Sequence, residues 1–369
     1  MLTMTTITDR ELNRATLARQ ILLGRVDSLI PEAVAFLLGL QAQTTNGPYQ
    51  ALWNRLSGFT HQALTTLIAD KTLLRATTMR TTLHLHTVDD MRAIRPLLQP
   101  MLDRTFASPA KARTIKADRA AVRTLGVELL NQQPMTAGDL GKRLLEAFPD
   151  SDPYVLAQVV QGAETLVQIP PTRIWGHGGP PLLTRIESWI GQGVAKPIDM
   201  PALVLRYLKA FGPASVADMQ HWCGLTRLAP AFEAVRDQLI TFTAEDGRTL
   251  YDLPDAPRPD ADTPAPPRFL PEYDNVYLGF ADRRRIQSDL ARARMPLVNG
   301  YPSTFTVDGF IAGKWSLARR KDTANLTLTP FRTLLKRELA AVDQEGRAMA
   351  GFLTEGAAAI TPTVLPVAD

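Results

Sequence analysis

Cysteine is almost absent from this chain, since Cys223 is the one cysteine among 369 residues. A single thiol excludes an intramolecular disulfide and any zinc site built from several cysteines. Histidine is also scarce, and its five residues are scattered over positions 61, 84, 86, 177 and 221. Neither residue type predicts a metal site, and we expect a protein that uses no metal and no cofactor.

Long apolar runs are missing too, because no stretch approaches the ~18 residues of a membrane-spanning helix. The N-terminus, Met1–Thr6, has neither the basic nor the apolar region of a signal peptide. We therefore expect a cytoplasmic protein. The net charge of +4 permits a polyanionic partner without requiring one. With 45% hydrophobic residues, the chain can bury a sizeable core, divided among two or three domains.

A pair of glutamines, Gln41 and Gln43, stands where a predicted helix ends. The apolar helical segment begins at Pro31, and turn residues follow at positions 46–48. In an extended segment, side chains two residues apart point to the same side and can converge on one ligand. Alternatively, the two amides cap the free carbonyls of the helix end. The stretch alone leaves both interpretations open.

The first hundred residues combine helical and strand patterns. Thr8 and Glu11 have the spacing of a capping box, and another helix is expected to begin near Thr60. From Arg80 to Thr87, apolar and polar residues alternate as in a half-buried strand. Its apolar face would carry Leu83 and Leu85, and its polar face Arg80, Thr82, His84 and His86. This order predicts a winged helix whose polar strand face is free to meet a partner.

Two later segments, residues 134–140 and 213–219, share the pattern Pro-x-Ser/Thr-x-x-Asp-apolar. In each, Thr136 or Ser215 can cap the second helix of a helix-turn-helix, and an aspartate three residues on can bond back to the cap. Together with the first unit, this repetition predicts tandem winged helices.

The segments between these units read as wings, loops and linkers. Residues 167–179 form a candidate wing that would expose Arg173. Residues 254–267 are rich in proline and cannot form regular structure. Residues 108–123 are basic and small, and we interpret them as a linker into a helix. The cations of that helix either follow DNA phosphates or form a solvated surface.

The C-terminal third is predicted to be mainly β. Residues 276–280 read as a strand that leads into the densest positive cluster, Arg283–Arg285. Asp308-Gly309 supplies the positive φ angles of a tight hairpin turn, and Lys314 follows on the return strand. A helix over 333–341 is expected to close the chain. The arginine cluster can hold phosphates or can be ordinary surface charge.

Five short motifs occur in a characteristic order. They are Leu40-Gln41-Ala42-Gln43, Met79-Arg80-Thr81-Thr82-Leu83-His84-Leu85, Trp222-Cys223-Gly224-Leu225-Thr226, Leu270-Pro271-Glu272-Tyr273-Asp274 and Gly313-Lys314-Trp315. Each motif is weak alone, but the order and spacing resemble the HTH_42 superfamily of bacterial DNA glycosylases, the AlkZ and YcaQ type. The resemblance runs from near residue 10 to near residue 340.

This resemblance implies an α+β fold of three tandem winged helix-turn-helix domains in a C-shaped arrangement, with a C-terminal β element. We place the domains at residues 1–115, 116–196 and 197–369. In the family the Gln-apolar-Gln tripeptide is catalytic, which assigns catalysis to Gln41 and Gln43. Glutamine in the second position resembles the AlkZ branch, associated with self-resistance to DNA-alkylating natural products and with crosslink unhooking. The resemblance also implies a monomer.

Two neutral amides are chemically sufficient for one class of base excision. Breaking the bond from C1′ to the base places positive charge on the sugar, much as in glycoside hydrolysis. A purine alkylated at N7 or N3 already carries positive charge and leaves readily, so amides that align a water suffice. Without a lysine as Schiff-base nucleophile, we predict a monofunctional DNA glycosylase that leaves an abasic site.

Double-stranded DNA with alkylated bases is thus the expected partner. Its contacts are predicted from Arg55, Arg80, His84, His86, Arg173, Arg283, Arg284, Arg285 and Lys314. Arg55 and Arg80 could instead hold the glutamine loop, and the histidines could be ordinary surface residues. A concave cradle that contacts bulky adducts without full extrusion of the base suits such lesions better than a tight pocket.

A multi-winged-helix transcriptional regulator without catalysis is the main alternative. It explains the helix-turn-helix patterns equally well, since fold alone does not settle function. A regulator would give Gln41 and Gln43 no function other than capping the helix end. A regulator would prefer one operator sequence, usually as a symmetric dimer, whereas a repair enzyme binds through backbone contacts and discriminates lesions.

Overall fold

A computed structural model of the chain describes residues 5–107, 115–191, 193, 198–295, 300–357 and 359–367. Helices pack around three separate sheets, and most strand pairs are antiparallel. The predicted α+β class is confirmed. In the ranges just given, none of the helices has both the length and the apolar character needed to cross a membrane.

The first part of the chain follows its capping signals. Its helices are α1 (Asp9–Arg19), α2 (Ile30–Phe36), α3 (Gly47–Trp53), α4 (His61–Ala69) and α5 (Val88–Phe106). Its strands are β1 (Thr5–Ile7), β2 (Leu40–Gln41), β3 (Leu73–Thr77) and β4 (Leu83–Thr87). Thr8 and Glu11 form the predicted capping box, and Thr60 caps α4. Helix α3 was not predicted, because Gly47-Pro48 suits a turn as well as a first helical turn.

The middle part contains a helical bundle and two strands. Its elements are α6 (Arg119–Gln132), α7 (Ala137–Ala147), α8 (Pro153–Ala163), β5 (Leu166–Ile169), β6 (Leu182–Arg185) and α9 (Ile186–Ile190). Thr136 caps α7 by accepting from the Asp139 N–H at 3.1 Å, as the repeated pattern predicts. Within the predicted basic linker, residues 108–114 lie outside the described ranges.

The third part repeats the capped helix. Its elements are α10 (Met200–Phe211), α11 (Val216–Cys223), α12 (Ala229–Glu233), β7 (Ile240–Ala244) and β8 (Thr249–Asp252). Ser215 and Asp218 form a capping box at α11. Asp218 is fully buried and also accepts from the Ala281 N–H at 2.9 Å, so the cap holds the C-terminal part as well. Residues 254–267 form an irregular loop, as predicted.

The C-terminal part carries a sheet and a long helix. Its elements are β9 (Phe269–Leu270), α13 (Asn275–Leu278), α14 (Asp289–Arg294), β10 (Thr304–Val307), β11 (Phe310–Arg320), β12 (Thr323–Pro330), α15 (Lys336–Leu353) and β13 (Ala359–Val364). The predicted hairpin is confirmed, with φ of 50° at Asp308 and 81° at Gly309. The strand predicted over 276–280 is wrong, because Asp274 caps a short helix there.

Sheet pairing joins distant parts of the chain. β1 pairs in parallel with β7 in the sheet β1-β7-β8, and the C-terminal sheet has the order β13-β12-β11-β10-β9. In the sheet β2-β4-β3-β5-β6, β3 pairs with β5 through Arg75 opposite Gln168. The first two predicted domains therefore share one sheet. The division into three winged helices and its C shape stay predictions, and the boundary at residue 196 falls outside the described residues.

Buried arginines connect the first helices to later segments. Arg19 and Asp252 form a fully buried two-point ion pair, with N···O distances of 2.6 and 2.8 Å. Arg55 forms another with Asp274, at 2.8 and 2.9 Å, and also donates to the Gln20 carbonyl. A fully buried guanidinium cannot reach a phosphate, so the predicted DNA contact of Arg55 is wrong. Its charge organises the interior instead.

We expect Arg55→Met to lower the free energy of unfolding by about 3–5 kcal/mol, because it leaves the Asp274 carboxylate buried without its partner. Urea denaturation followed by circular dichroism measures this change. The control Arg337→Met removes an exposed arginine and should cost less than about 0.5 kcal/mol. A stable Arg55→Met protein with weakened DNA binding would contradict the structural role.

Candidate active site

The glutamine motif begins on the edge strand of the shared sheet, and Gln43 lies in the bend that follows this strand. Gly39 has a φ of 91° and turns the chain from α2 into β2, whose Gln41 lies opposite His84 on β4. The Gly39 N–H bonds to the Val34 carbonyl at 2.9 Å and so helps to close the helix end. Gln41 alone of the pair lies in the strand, and the choice between ligand binding and capping stays a prediction.

Only glycine fits at position 39. A Cβ there would lie 2.4 Å from Cε1 of His86, besides the strain of a positive φ. The close contact packs the turn before the motif directly onto β4. The position of the glutamines thus depends on a ring of the neighbouring strand.

Gln41 is held in place by Arg80. Its Oε1 accepts from Nη2 of Arg80 at 2.7 Å, and Nη1 of Arg80 donates to the Trp222 carbonyl. Gln41 itself is only 7% exposed. Burial lowers the pKa of Arg80 to about 10, so its guanidinium remains charged at neutral pH. Arg80 therefore links the motif to α11, as the loop-holding alternative anticipated.

Gln43 is exposed, in contrast to Gln41. Its Oε1 lies 3.5 Å from the Leu83 N–H, a long contact that leaves the amide free to meet a ligand. The side chain lines a cavity of about 430 Å³ together with Thr77 and Thr81. The motif thus presents one fixed amide and one accessible amide.

Arg75 on β3 is a site residue that the sequence analysis missed. It is buried, and its Nη2 donates to the carbonyls of Ala42 and of Thr44, the latter at 2.8 Å. Its Nη1 donates to the Arg173 carbonyl at 2.8 Å. Burial lowers its pKa to about 10. A lone arginine inside the apolar run of β3 was the available signal, since such a charge is buried only with partners.

His84 and His86 are buried, which contradicts the predicted exposed strand face and their DNA contacts. β4 is an inner strand between β2 and β3. Nδ1 of His84 lies 3.1 Å from the Thr82 carbonyl, and Nε2 of His86 lies 3.1 Å from the Thr78 hydroxyl. Burial lowers the pKa of both rings, that of His86 to about 4. Both histidines are therefore neutral near pH 7.

Arg285 is also buried, so its predicted DNA contact is wrong. Its Nη1 donates to the Pro213 carbonyl at 2.8 Å, and its guanidinium lies 4.0 Å from the centroid of the Phe280 ring. Asp218 lies 3.9 Å away and offsets its charge. This arginine stabilises the junction of the third and C-terminal parts.

The other predicted cations keep some exposure. Arg284 forms ion pairs with Asp282 and Asp246, so its charge is already matched. Arg283 is half-buried and donates to the Tyr301 hydroxyl at 2.8 Å. Arg173 and Lys314 are partly exposed. The densest positive cluster of the sequence is therefore mainly a structural network.

In the part of the chain that the structure describes, no three His, Cys, Asp or Glu residues are grouped so that they could hold a metal ion. Cys223 is buried, and burial raises the pKa of its thiol to about 11. A thiol of that pKa stays protonated at pH 7 and is a poor nucleophile.

The buried His86 predicts a pH-dependent stability. Its folded pKa of about 4 lies below the ordinary 6.5, so its contribution is complete above pH 6.5 and is lost as the pH falls towards 4. Lowering the pH from 7 to 5 should destabilise the wild type by about 2 kcal/mol more than His86→Asn. Urea denaturation at both pH values measures this, with His177→Asn, at an exposed position, as control. Equal losses in wild type and His86→Asn would count against it.

Comparison with known proteins places this geometry in a family. Residues 34–352 match the model of the AlkZ-like DNA glycosylases. The structure of Streptomyces sahachiroi DNA glycosylase AlkZ is similar, with a TM-score of 0.77 and 19% sequence identity over 98% of this chain and 100% of that chain. At such low identity this likeness shows a common fold. No curated protein matches in sequence. The family match includes both glutamines, Arg75 and Arg80, and the chain belongs to the AlkZ-like family of DNA glycosylases.

Proposed function

We propose that this DNA glycosylase is monofunctional and releases purines alkylated at N7 or N3 from double-stranded DNA, by attack of water at C1′. One observation carries the proposal: a pair of glutamines, of which one amide is fixed by Arg80 and the other is exposed beside a cavity. The chain belongs to a family of DNA glycosylases, which identifies the enzyme class. This membership disfavours the alternative of a transcriptional regulator without catalysis. A role in the repair of alkylated DNA follows.

Gln43 is proposed to align the water. Its amide is exposed, and the carbonyl oxygen can accept a hydrogen bond from a water that approaches C1′. Gln41 Oε1 already accepts from Arg80, which directs the amide NH2 away from that arginine. That NH2 can then bond the water, the sugar or the departing base. Positioning of this kind accelerates a reaction without proton transfer to a side chain.

Arg75 and Arg80 are positioning residues in this scheme. Arg75 bonds the carbonyls on either side of Gln43, and Arg80 bonds the Gln41 side chain. Both guanidinium groups are charged at neutral pH. They also place positive charge behind the motif, which favours the approach of the anionic DNA backbone.

Contacts to DNA are proposed from the partly exposed cations Arg173, Arg283 and Lys314. The turn between β11 and β12 adds three exposed basic residues that sequence reasoning did not single out, Arg319, Arg320 and Lys321. The β11–β12 hairpin, whose β12 also pairs with β13, carries these cations at its turn and can place them against DNA phosphates. We propose that a single copy of the chain binds its substrate.

Bulky natural-product adducts and crosslinked purines fall within the same proposal. Gln43 lies at the surface, so a large substituent on the purine need not be enclosed. Cleavage of one glycosidic bond at a crosslinked purine would free one strand, by the same chemistry. Self-resistance to a DNA-alkylating product would be the biological use of such an activity.

The glutamines are tested by base release from duplex DNA that carries N7-methylguanine, with alkali to reveal abasic sites. Gln43→Ala and Gln41→Ala should each lower the single-turnover rate by ~10²-fold or more while DNA binding persists. The control Gln132→Ala, on the exposed end of α6, should behave as wild type. Full activity of a Gln41→Ala/Gln43→Ala double variant would move catalysis to another site.

The rate of base release should also depend little on pH. Glutamines do not titrate, the buried His84 and His86 have lowered pKa values, and Arg80 has a pKa of about 10. The single-turnover rate is expected to change less than about twofold between pH 6.5 and 8.5. Measurement across this range checks the absence of a general acid or base. A bell-shaped profile would instead indicate a titrating catalytic group.

A further inference from the structure

The cavity beside Gln43 lies between the shared sheet and α8. Its floor is one face of the sheet, where Thr77 on β3 stands opposite Leu83 on β4. Its wall is one side of α8, which contributes Tyr154, Gln158 and Gln161 at helical spacing. A volume of about 430 Å³ is large enough for a purine ring with a small substituent.

The lining of this cavity is unsuited to a phosphate. Among the described residues that line it there is no lysine or arginine. Glu164 is the one charged residue of the described lining, and its carboxylate pairs with Arg123 at 2.6 Å and with Arg185 at 3.1 Å. The other described lining residues are apolar and aromatic side chains, four glutamine amides and the hydroxyls of Thr77, Thr81 and Thr105. Such a surface favours a flat ring with polar edges over an anion.

Two glutamine side chains of this lining have a buried amide oxygen that accepts no hydrogen bond from the described residues. Gln168, on β5, is 8% exposed, and its Oε1 is buried without a protein partner among the described residues. Oε1 of Gln158, on α8, is likewise buried and has no protein partner among the described residues. A buried acceptor without a donor is costly, and each oxygen is closed to solvent, so it can receive an N–H from a ligand once its amide turns toward the cavity. Both oxygens belong to side chains that line the cavity next to Gln43.

We propose that this cavity binds an aromatic ring with N–H donors, supplied by the damaged purine or by an aromatic group of its adduct. Gln158 and Gln168 accept the N–H groups, and the leucines of the sheet pack against the ring. The inference rests on the proposed glycosylase function and extends it to recognition of the lesion. It also departs from the expectation of a cradle without base extrusion, because the cavity opens directly beside Gln43.

Equilibrium binding tests the assignment without requiring turnover. The probes are a duplex with 2′-fluoro-N7-methylguanine, whose glycosidic bond is stabilised, the same duplex with an N7-benzyl group, and one with a tetrahydrofuran abasic site. Gln168→Met and Gln158→Met remove the acceptor and keep the size of the side chain. Each should weaken binding to a lesion duplex by about tenfold, while binding to the abasic duplex stays unchanged. Gln132→Met is the matched control.

The three probes separate the possible results. A loss with the methyl lesion assigns the cavity to the base itself, and a loss only with the benzyl lesion assigns it to the adduct. Unchanged preference for both lesions in both variants overturns the proposal. Gln158 is only partly buried on α8, so its variant remains informative if Gln168→Met does not fold. If the proposed catalysis by Gln41 and Gln43 is wrong, their variants keep the wild-type rate of base release. If the proposed binding in the cavity is wrong, the Gln158 and Gln168 variants keep the wild-type preference for the lesion duplexes.

Discussion

The carbonyls of Ala42 and Thr44 both accept hydrogen bonds from Arg75, and the rest of the site depends on this interaction. The same guanidinium bonds the Arg173 carbonyl, so one buried charge joins the motif, β3 and the middle part of the chain. A buried arginine is costly unless its donors find partners, and Nη1 and Nη2 of Arg75 find them in these carbonyls, while its Nε has none among the described residues. That requirement keeps the backbone around Gln43 in one position.

Burial also explains why neutral groups surround the motif. The inner strand β4 places His84 and His86 in the interior, where the charged form of a ring is disfavoured. The charges that persist, Arg75 and Arg80, cannot lose a proton near pH 7 and serve to hold amides and carbonyls. The proposed substrate, whose leaving group already carries positive charge, needs no titrating acid or base from such a site.

Local signals in the sequence led to correct expectations where neighbouring residues decide the structure. The capping residues Thr8, Thr136 and Ser215 begin helices, and Asp308-Gly309 forms the hairpin turn. The wrong strand at 276–280 has the same origin, because its apolar residues fit a buried strand as well as a buried helix. In the structure, Asp274 caps this segment as a helix rather than a strand.

The sequence by itself determined the α+β class, the capped helix starts at Thr8, Thr60, Thr136 and Ser215, the glutamine pair and the family resemblance, because these depend on neighbouring residues and on the order of motifs. Only the tertiary structure decided which cations are available. Arg55 and Arg285 match the pattern of surface charge, yet distant carboxylates and carbonyls surround them in the interior. Arg75 holds the motif through the carbonyls of Ala42 and Thr44, and the pairing of β3 with β5 brings Gln168 beside it. Burial depends on contacts between residues far apart in sequence, and a local pattern does not contain them.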